Sequence, residues 1–293
     1  MNWESIKNAV WPEIFGSFWL AAAYWAILAI LVGLEFFVPQ FKEPARHRRW
    51  PANFGLGLIN MALLPLLPVS AVVAAQWAQH HKIGLLNLLD GSWWPVAAIA
   101  TVAVQSLSGY VQHVVMHKTP WLWRLHRVHH LDTTLDLSTG LRHHPLEVLT
   151  ALLFDISVAV IFGLQPLALI AYGTVDGLFS FFGHANIRLP ARLDHVLRLC
   201  MVTPRIHAVH HSSYQPETDS NYGSVFTIWD RLFGTYSNLR ADRPDEIQYG
   251  LGDVQDDRAA DLWWQLKSPM LRLESLLPTP TKGTKTTSQG LGG

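Results

Sequence analysis

The chain has 293 residues, and its 22 basic and 22 acidic residues balance to a formal net charge of zero. Only 15% of the residues are charged, the mean hydropathy is +0.17, and 13 residues are tryptophan. The neutral balance gives no reason to propose nucleic acid as a partner, and the single cysteine, Cys200, excludes an intramolecular disulfide and a thiolate zinc site. Because the apolar residues occur in long runs, the composition predicts a multi-spanning membrane protein.

Three apolar stretches in the N-terminal part of the chain predict membrane spans. They are residues 18–38, 54–77 and 93–108. Pro65 and Pro68 predict a kink in the second span, and the third is expected to continue as a helix to His117. Four basic residues lie between positions 42 and 49, and the positive-inside rule places this loop in the cytoplasm. The end of the third span that carries His117 is therefore expected on the cytoplasmic side.

Two shorter apolar stretches, residues 146–162 and 166–182, predict a helical hairpin. A helix stop at Gly163 and a helix start at Pro166 separate them. With about seventeen residues each they are short for full spans, so they are expected to cross the bilayer or to dip into it. Either arrangement returns the chain to the cytoplasmic side at His184.

The remaining sequence is mostly polar, with amphipathic stretches at residues 225–233 and 257–277 that suit a membrane surface or a packed interface. The predicted fold is an all-α integral membrane protein with about three full spans and a helical hairpin, and with a cytoplasmic helical cap that carries the histidines. The predicted divisions are 1–41 for the N-terminus and first span, 42–237 for the catalytic domain, 238–277 for a C-terminal amphipathic segment and 278–293 for a disordered tail.

Twelve of the fifteen histidines lie between positions 113 and 211. They include His113 and His117, then His126, His129 and His130, then His143 and His144, then His184, and finally His207, His210 and His211. Residues three and four apart share one face of a helix, so each spaced group can direct two or three imidazoles at one point. A lone buried histidine is usually a hydrogen-bonded core residue, but this many in repeated spacings at one end of a membrane bundle indicate metal binding.

The number of histidines also predicts the number of metal ions. A catalytic zinc takes about three protein ligands, whereas the three spaced groups alone offer eight imidazoles, enough for two metals with open positions. Imidazole binds iron, zinc, copper and nickel, so ligand type does not select the metal. His80 and His81, in the predicted outer loop, and His195, which has no histidine at helical spacing, are not expected to be ligands.

These motifs, in this order and spacing, resemble the fatty acid hydroxylase and sterol desaturase superfamily. The resemblance covers about residues 42–237. Besides the histidine groups, the matching motifs in this range are Gly183-His-Ala-Asn186 and Trp229-Asp230. It implies a membrane-embedded, all-helical di-iron oxygenase that uses O₂ to attack an unactivated C–H bond of a lipid. The family pattern of a histidine followed by proline selects His144 over His143 as a ligand, and His184 occupies a further ligand position.

The ligand set implied by the resemblance has ten members: His113, His117, His126, His129, His130, His144, His184, His207, His210 and His211. A ligating imidazole usually donates its second N–H to a carboxylate or carbonyl. Asp132, Asn186 and Asp230 are the main candidates for such partners, and Glu147 and Asp219 are two more. The expected cofactor is a pair of iron ions, with zinc as a possible substitute in a preparation.

The expected partners are a lipid substrate that enters from the bilayer and a separate electron donor. A reductase, cytochrome or ferredoxin type of donor is needed because the sequence has no dinucleotide fingerprint, haem attachment motif or iron–sulfur cysteine set. Hydroxylation of a lipid is the favoured reaction. Desaturation or methyl oxidation by the same centre, a zinc-dependent membrane hydrolase, a bis-histidine cytochrome and a metal carrier are the alternatives.

Overall fold

The computed structural model describes residues 18–41, 46–89, 91–252 and 254–271. The described residues form helices and turns, with isolated β-bridges but no strand. The expectation of an all-α fold is therefore confirmed. The predicted disordered tail, 278–293, lies outside the described residues.

Four segments in the described part of the chain are long and apolar enough to cross a membrane. They are Arg46–Leu88, Gly91–Lys118, Pro145–Phe162 and Pro166–His184, and a shorter apolar helix covers Ala21–Phe37. Only 11 to 28% of the most apolar window of each long segment is buried inside the protein, so most of these apolar side chains face outward. That is the pattern of helices solvated by lipid, and the chain is an integral membrane protein.

The helices of the membrane part begin with α1, Phe18–Phe37, and continue with α2, Arg46–Leu63, α3, Ala71–His80, α4, Trp94–Lys118, α6, Pro145–Phe162, and α7, Pro166–His184. The second predicted span is broken between α2 and α3. A 3-10 turn at Leu64–Leu66 contains Pro65, and the chain stays non-helical until Ser70 caps α3 by accepting from the Val73 amide. Proline has no amide proton, so two prolines in this stretch break the helix rather than only kinking it.

The hairpin predicted from Gly163 and Pro166 is present as α6 and α7. Gly163 ends α6 in the left-handed conformation, with φ of 65°. Gly84, in the loop after α3, packs directly on Gly163, and a Cβ on Gly84 would come within 2.3 Å of the Gly163 nitrogen. This contact brings the loop after α3 to the hairpin turn, at the end of α6 and α7 away from the histidines.

The remaining short helices form a cap at the histidine end of the spans. They are α5, Pro120–His130, α8, Ala191–Leu197, α9, Pro204–His210, α10, Gln215–Thr218, α11, Ile228–Phe233, and α12, Leu262–Lys267. The C-terminal segment packs on α5, because the carbonyls of Ser268 and Leu271 accept from Arg127 and Arg124. Of the two expectations for this segment, a packed interface is the one the contacts support.

Buried polar contacts join the cap to the spans. Glu35, near the end of α1, accepts from the backbone amides of Leu137 and Asn186, at 2.7 and 2.8 Å. The Asn186 side chain in turn accepts from the amides of Gln40 and Phe41. These bonds hold the chain that follows α1 against the chain that follows His184, so the cap has a defined position over the bundle.

Candidate metal centre

Nine histidine side chains converge at the histidine end of the spans and form two groups. The five-histidine group contains His113, His117, His126, His130 and His210, and the four-histidine group contains His129, His184, His207 and His211. Within each group, one ring nitrogen from every member lies within 4.8 Å of those of the others. Each group is therefore a possible site for one metal ion.

The two repeated His-xx-His-His motifs explain how one cluster becomes two groups. On α5, His126 and His130 share a face and enter the five-histidine group, whereas His129 points into the four-histidine group. The motif on α9 is divided in the opposite sense, because His207 and His211 enter the four-histidine group and His210 crosses to the other. Each motif thus contributes to both sites.

The two groups adjoin each other. The rings of His130 and His211, one from each group, stack with centroids 4.6 Å apart. His207 and His210 are also neighbours across the boundary, with centroids 5.4 Å apart. This adjacency suits a dinuclear centre.

Backbone carbonyls and a carboxylate determine which ring nitrogens carry protons in the five-histidine group. Nδ1 of His113 lies 2.8 Å from the Tyr222 carbonyl oxygen, Nδ1 of His210 lies 2.7 Å from the Ser220 carbonyl oxygen, and Nδ1 of His126 lies 2.8 Å from Glu147 Oε1. A carbonyl or carboxylate oxygen only accepts, so each Nδ1 must carry the proton. In the neutral ring Nε2 then has only a lone pair.

Two rings of the four-histidine group are oriented in the same way. Nδ1 of His184 donates to the Ser180 carbonyl at 2.6 Å, and Nδ1 of His129 to the Arg142 carbonyl at 3.3 Å. The Nε2 atoms of these two rings are 3.0 Å apart. His184 Nε2 also lies 2.9 Å from His207 Nε2 and 3.1 Å from His211 Nε2, so it contacts all three of its partners.

Lone pairs that face each other at these distances need a cation between them. His113 and His126 provide the same arrangement in the other group, with their Nε2 atoms 3.1 Å apart. Adjacent ligands at right angles around a metal with bonds of about 2.1 Å are separated by about 3.0 Å, which agrees with the observed spacings. In addition, Nε2 of His117 and of His210 is buried without a hydrogen-bond partner. The residues therefore fit a metal ion in each group.

Burial keeps these imidazoles in the form that binds metal. It lowers the pKa of His129, His130, His207 and His211 well below the ordinary value, and the neighbouring histidines lower it further. Burial likewise lowers the pKa of His210 to about 3, although its bond to the Ser220 carbonyl opposes the change. All five are neutral at pH 7 and free to donate a lone pair.

Two carboxylates stand behind the five-histidine group. Glu147 accepts from His126 and from His143, whose Nδ1 is 2.9 Å away. Asp219 Oδ1 lies 3.4 Å from Nδ1 of His117. The His143 ring also stacks on the His129 ring at 4.5 Å, so Glu147 and His143 together link the surroundings of both groups.

A cavity of about 110 Å³ opens beside the five-histidine group. Its lining includes His117 itself, together with Lys118, Trp123 and Asp219. Trp123 contacts the rings of His117 and His130, with centroids 4.8 and 5.4 Å away. The five-histidine group therefore has an approach from the polar side of the cap.

Comparison with known proteins agrees with this architecture. The profile of the fatty acid hydroxylase family matches residues 98–235, which contain every histidine of the two groups. The chain is 30% identical to the alkylglycerol monooxygenase of Caenorhabditis elegans over 54% of its length and 28% identical to ornithine lipid hydroxylase OlsE of Rhizobium tropici over 85%. It is also 30% identical to a cholesterol 25-hydroxylase-like protein of Danio rerio over 51% of its length.

The chain is similar to the fatty acid hydroxylase family over residues 98–235, just under half of its length. The matches cover different shares of these relatives: 30% of the Caenorhabditis protein, 80% of the Rhizobium protein and 64% of the Danio protein. No solved structure shows a significant match to the chain.

The two groups contain nine of the ten histidines that the family resemblance implied as ligands. The exception is His144, which lies outside both. It caps α6, where its Nδ1 accepts from the Leu146 amide, and its Nε2 lies 3.2 Å from the Leu266 carbonyl oxygen. Both ring nitrogens are thus occupied by backbone contacts. The neighbouring His143 is the one that reaches the cluster, through Glu147 and the His129 ring.

The three main candidates for hydrogen-bond partners of ligands have other partners. Asp132 accepts from Arg49 at 2.5 Å, and from Asn53 and Thr139. Burial would raise the pKa of Asp132, but the adjacent Arg49 and Arg142 guanidinium groups lower it well below the usual range. The carboxylate therefore balances buried positive charge beside the centre, rather than accepting from an imidazole.

Asn186 and Asp230 act through the backbone. Asn186 holds the chain after α1, as described above. Asp230 accepts from the amides of Tyr222 and Gly223, both at 2.8 Å. Because the Tyr222 carbonyl accepts from His113, Asp230 helps to position the His113 ring indirectly. Glu147 and Asp219, the two secondary candidates, are the carboxylates that approach histidines directly.

The histidines that the sequence set aside are remote from the two groups or contact other residues. His80 ends α3 and contacts only His81 among the described aromatic rings, and both are exposed. His195 is exposed on α8, with Nδ1 3.2 Å from an Arg198 nitrogen. The i, i+4 spacing of His143 and Glu147 was the signal in the sequence that could have identified their contact.

Proposed function

We propose that this chain is a membrane lipid hydroxylase that holds two iron ions in its nine histidines and hydroxylates an unactivated C–H bond with O₂. The observation that carries the proposal is the pair of groups in which Nε2 lone pairs face each other, at the end of a lipid-solvated bundle. The named relatives are hydroxylases and monooxygenases, which favours hydroxylation over desaturation. Two iron ions, when bound, supply the reduction of O₂ and the oxidant for the C–H bond.

The protein's own contribution is ligand geometry and exclusion of water. The Nδ1 bonds to the Tyr222, Ser220 and Ser180 carbonyls orient the rings of His113, His210 and His184 before metal arrives, so these three rings need little reorganisation. Most of the cluster is buried, with His130, His210 and His211 at most 1% exposed. A dry site protects the substrate carbon from competing reactions with solvent.

The histidine end is proposed to face the cytoplasm. The basic residues Arg46, Arg48 and Arg49 lie in the first turn of α2, at the start of the first long segment, and Arg124 and Arg127 lie in the cap. An excess of Arg and Lys marks cytoplasmic segments. Electrons would then come from a separate cytoplasmic donor, and the cavity at His117 gives a place where the five-histidine group is close to the polar surface.

The experiment is anaerobic purification with iron, followed by addition of ¹⁸O₂, a reductant and a total lipid extract. The proposal predicts O₂ consumption and a lipid product that carries one labelled oxygen atom. A zinc-dependent hydrolase would instead leave O₂ untouched and incorporate oxygen from water. That second result, with zinc as the only bound metal, would falsify the proposed function.

A further inference from the structure

Three spans carry a polar residue at the same distance from the histidine end. The pairs are Gln105 and His113 on α4, Asp155 and Glu147 on α6, and Asp176 and His184 on α7. In each pair the two residues are eight apart, which corresponds to about 12 Å along a helix. Gln105, Asp155 and Asp176 thus form a layer, here called the polar layer, about 12 Å from the level of the metal centre.

The members of the polar layer interact with one another and with the cap. Gln105 Nε2 donates to Asp155 Oδ1 at 3.3 Å, which joins α4 to α6. The Ser224 hydroxyl of the cap donates to Asp176. Ser224 lies two residues after Tyr222, whose carbonyl orients His113. The polar layer is therefore directly connected to the surroundings of the metal centre.

The two acids have no cationic partner among the described residues. Lys, Arg and His form the salt bridges of the described chain, and none of these bridges includes Asp155 or Asp176. A carboxyl group inside a membrane span is costly and usually marks a functional site. Here the cost is offset only by neutral donors, the Gln105 amide and the Ser224 hydroxyl.

Unused hydrogen-bonding atoms point to a missing ligand. Ser108 is 7% exposed, and its hydroxyl makes no hydrogen bond in the described structure. It lies on α4 between Gln105 and Gln112, which both donate to α6, so it shares their face. The Oε1 atom of Gln105 is also buried and unpaired. Buried polar atoms of this kind destabilise the folded protein unless a ligand or water forms a hydrogen bond with them.

Space for a ligand exists beside these residues. A Cβ added to Gly109, one turn from Gln105, would meet no atom within 4 Å, and the same holds for Gly173, one turn from Asp176. The side chains of Gln105, Asp155 and Asp176 are partly exposed rather than sealed inside the bundle. A lipid that lies along α4, α6 and α7 can therefore reach both the polar layer and the metal centre.

We infer that the polar layer binds a hydrogen-bond-donating group of the substrate lipid, a hydroxyl or an ammonium, and so selects a carbon about 12 Å from it for oxidation. Acidic acceptors without a cationic partner favour a donor ligand over an ether or ester. The inference rests on the proposed function, because it assigns the position of attack to the spacing between the polar layer and the histidines.

Binding is measured first, on metal-free protein, so that it does not depend on turnover. The probes are hexadecanol, hexadecylamine and hexadecyl methyl ether, which share one chain and differ in the donor. The variants are Asp155→Leu and Asp176→Leu, which keep the number and branching of the heavy side-chain atoms and suit an apolar helix. Ser157→Ala and Thr174→Ala are matched controls, because these hydroxyls bond only to Leu153 and Ile170 of their own helices.

The inference predicts that wild type and both controls bind the alcohol or the amine about tenfold more tightly than the ether, and that the Leu variants lose this preference. Asp155→Asn distinguishes the two donors, since it weakens binding of the amine and retains the alcohol. Equal binding of all three probes by wild type, or an unchanged preference in both Leu variants, overturns the inference. Slower turnover with unchanged binding would indicate a proton path instead and also overturns it.

The position of attack is measured second, with tetradecanol, hexadecanol and octadecanol and iron-loaded protein. The inference predicts a hydroxyl at a constant distance from the alcohol group in all three products. A position counted from the methyl end contradicts it. Selective binding of the donor lipids without any oxygenation would support binding by the polar layer and reject the proposed hydroxylase function. Failure of the inference can therefore be distinguished from failure of the proposed function.

Discussion

The two histidine groups are built from the same motifs but differ in what surrounds them. The five-histidine group has carboxylates behind His126 and His117 and a cavity at its edge. The four-histidine group has backbone carbonyls behind His184 and His129, and all four of its histidines are buried. A carboxylate partner raises the basicity of an imidazole more than a carbonyl does. The two metal ions of the proposed centre should therefore be bound with different affinities.

Loss of His184 should have the largest effect on this comparison. Its Nε2 lies within 3.1 Å of the Nε2 atoms of the other three histidines, so His184→Ala removes the ring that contacts all of them and leaves only His207 and His211 in Nε2 contact, at 3.2 Å. We expect loss of about one metal ion per chain and of activity, measured by elemental analysis and O₂ uptake. His117→Ala leaves four ligands in its group and should retain more metal. Equal losses of metal from His184→Ala and His117→Ala would contradict the predicted difference between the two groups.

The metal-free protein should become less stable as the pH falls from about 6.5. Burial lowers the folded-state pKa of His129, His130, His207, His210 and His211 below their unfolded value of 6.5, and that of His210 falls to about 3. Between these folded-state and unfolded-state pKa values the unfolded chain binds more protons than the folded chain. The free energy of unfolding is therefore highest above pH 6.5 and decreases towards pH 3, by up to about 1.4 kcal/mol per pH unit for each group.

The check is the melting temperature in detergent at several pH values, with and without metal. Bound metal should shift the onset of the loss to lower pH, because protons must then compete with it. A melting temperature of the metal-free protein that stays constant between pH 7 and pH 5 would contradict the burial of neutral histidines.

Asp132→Asn tests the buried charges beside the four-histidine group. The variant leaves Arg49 with only Asp136 as an ionic partner and removes the counter-charge near Arg142, whose carbonyl orients His129. We expect a loss of about 3 kcal/mol in the free energy of unfolding. Asp257→Asn, at an exposed pair with Arg48, is the control and should leave stability unchanged. A small effect of both variants would show that the Asp132 pair contributes little.

Glu147→Gln tests the support of the five-histidine group. Both His126 and His143 bond to Oε1, and an uncharged amide oxygen is a weaker acceptor than a carboxylate, so we expect metal affinity to fall by about 10- to 100-fold in that group. Competition with a chelator measures the loss. Asp219→Asn, at the longer contact of 3.4 Å, should have the weaker effect. If metal leaves the four-histidine group first, the assignment of Glu147 to the other group is wrong.

His144→Ala should have the smallest effect. It removes a helix cap at the start of α6, which corresponds to about 1 kcal/mol of stability, and should leave the metal content unchanged. Measurement of both quantities also separates His144 from His143. Loss of metal from His144→Ala would restore it to the ligand set and contradict its position in the structure.

The sequence predicted the helical class, the hairpin and the convergence of the spaced histidines because these depend on local periodicity. The turn at Gly163 and the i, i+3 and i+4 spacings on α5 and α9 can be read from neighbouring residues. The division of each His-xx-His-His motif between two groups could not be predicted, since it depends on how α5 and α9 face each other. No periodicity contains that information.

The partners of the ligands were the least predictable part of the site. Four of the acceptors are backbone carbonyls, at Tyr222, Ser220, Ser180 and Arg142, and every residue has a carbonyl. Asp132 was expected to accept from an imidazole, but it accepts instead from Arg49, 83 positions away in sequence. Such pairings are decided by tertiary packing rather than by spacing along the chain.

The most direct test of the central claim is a metal analysis of wild-type protein together with a Mössbauer spectrum of the ⁵⁷Fe-loaded form. We expect about two iron ions per chain and two Mössbauer components of equal area with different isomer shifts and quadrupole splittings, because the two groups have different ligand numbers and partners. A single iron per chain, or two ions in identical environments, would contradict it.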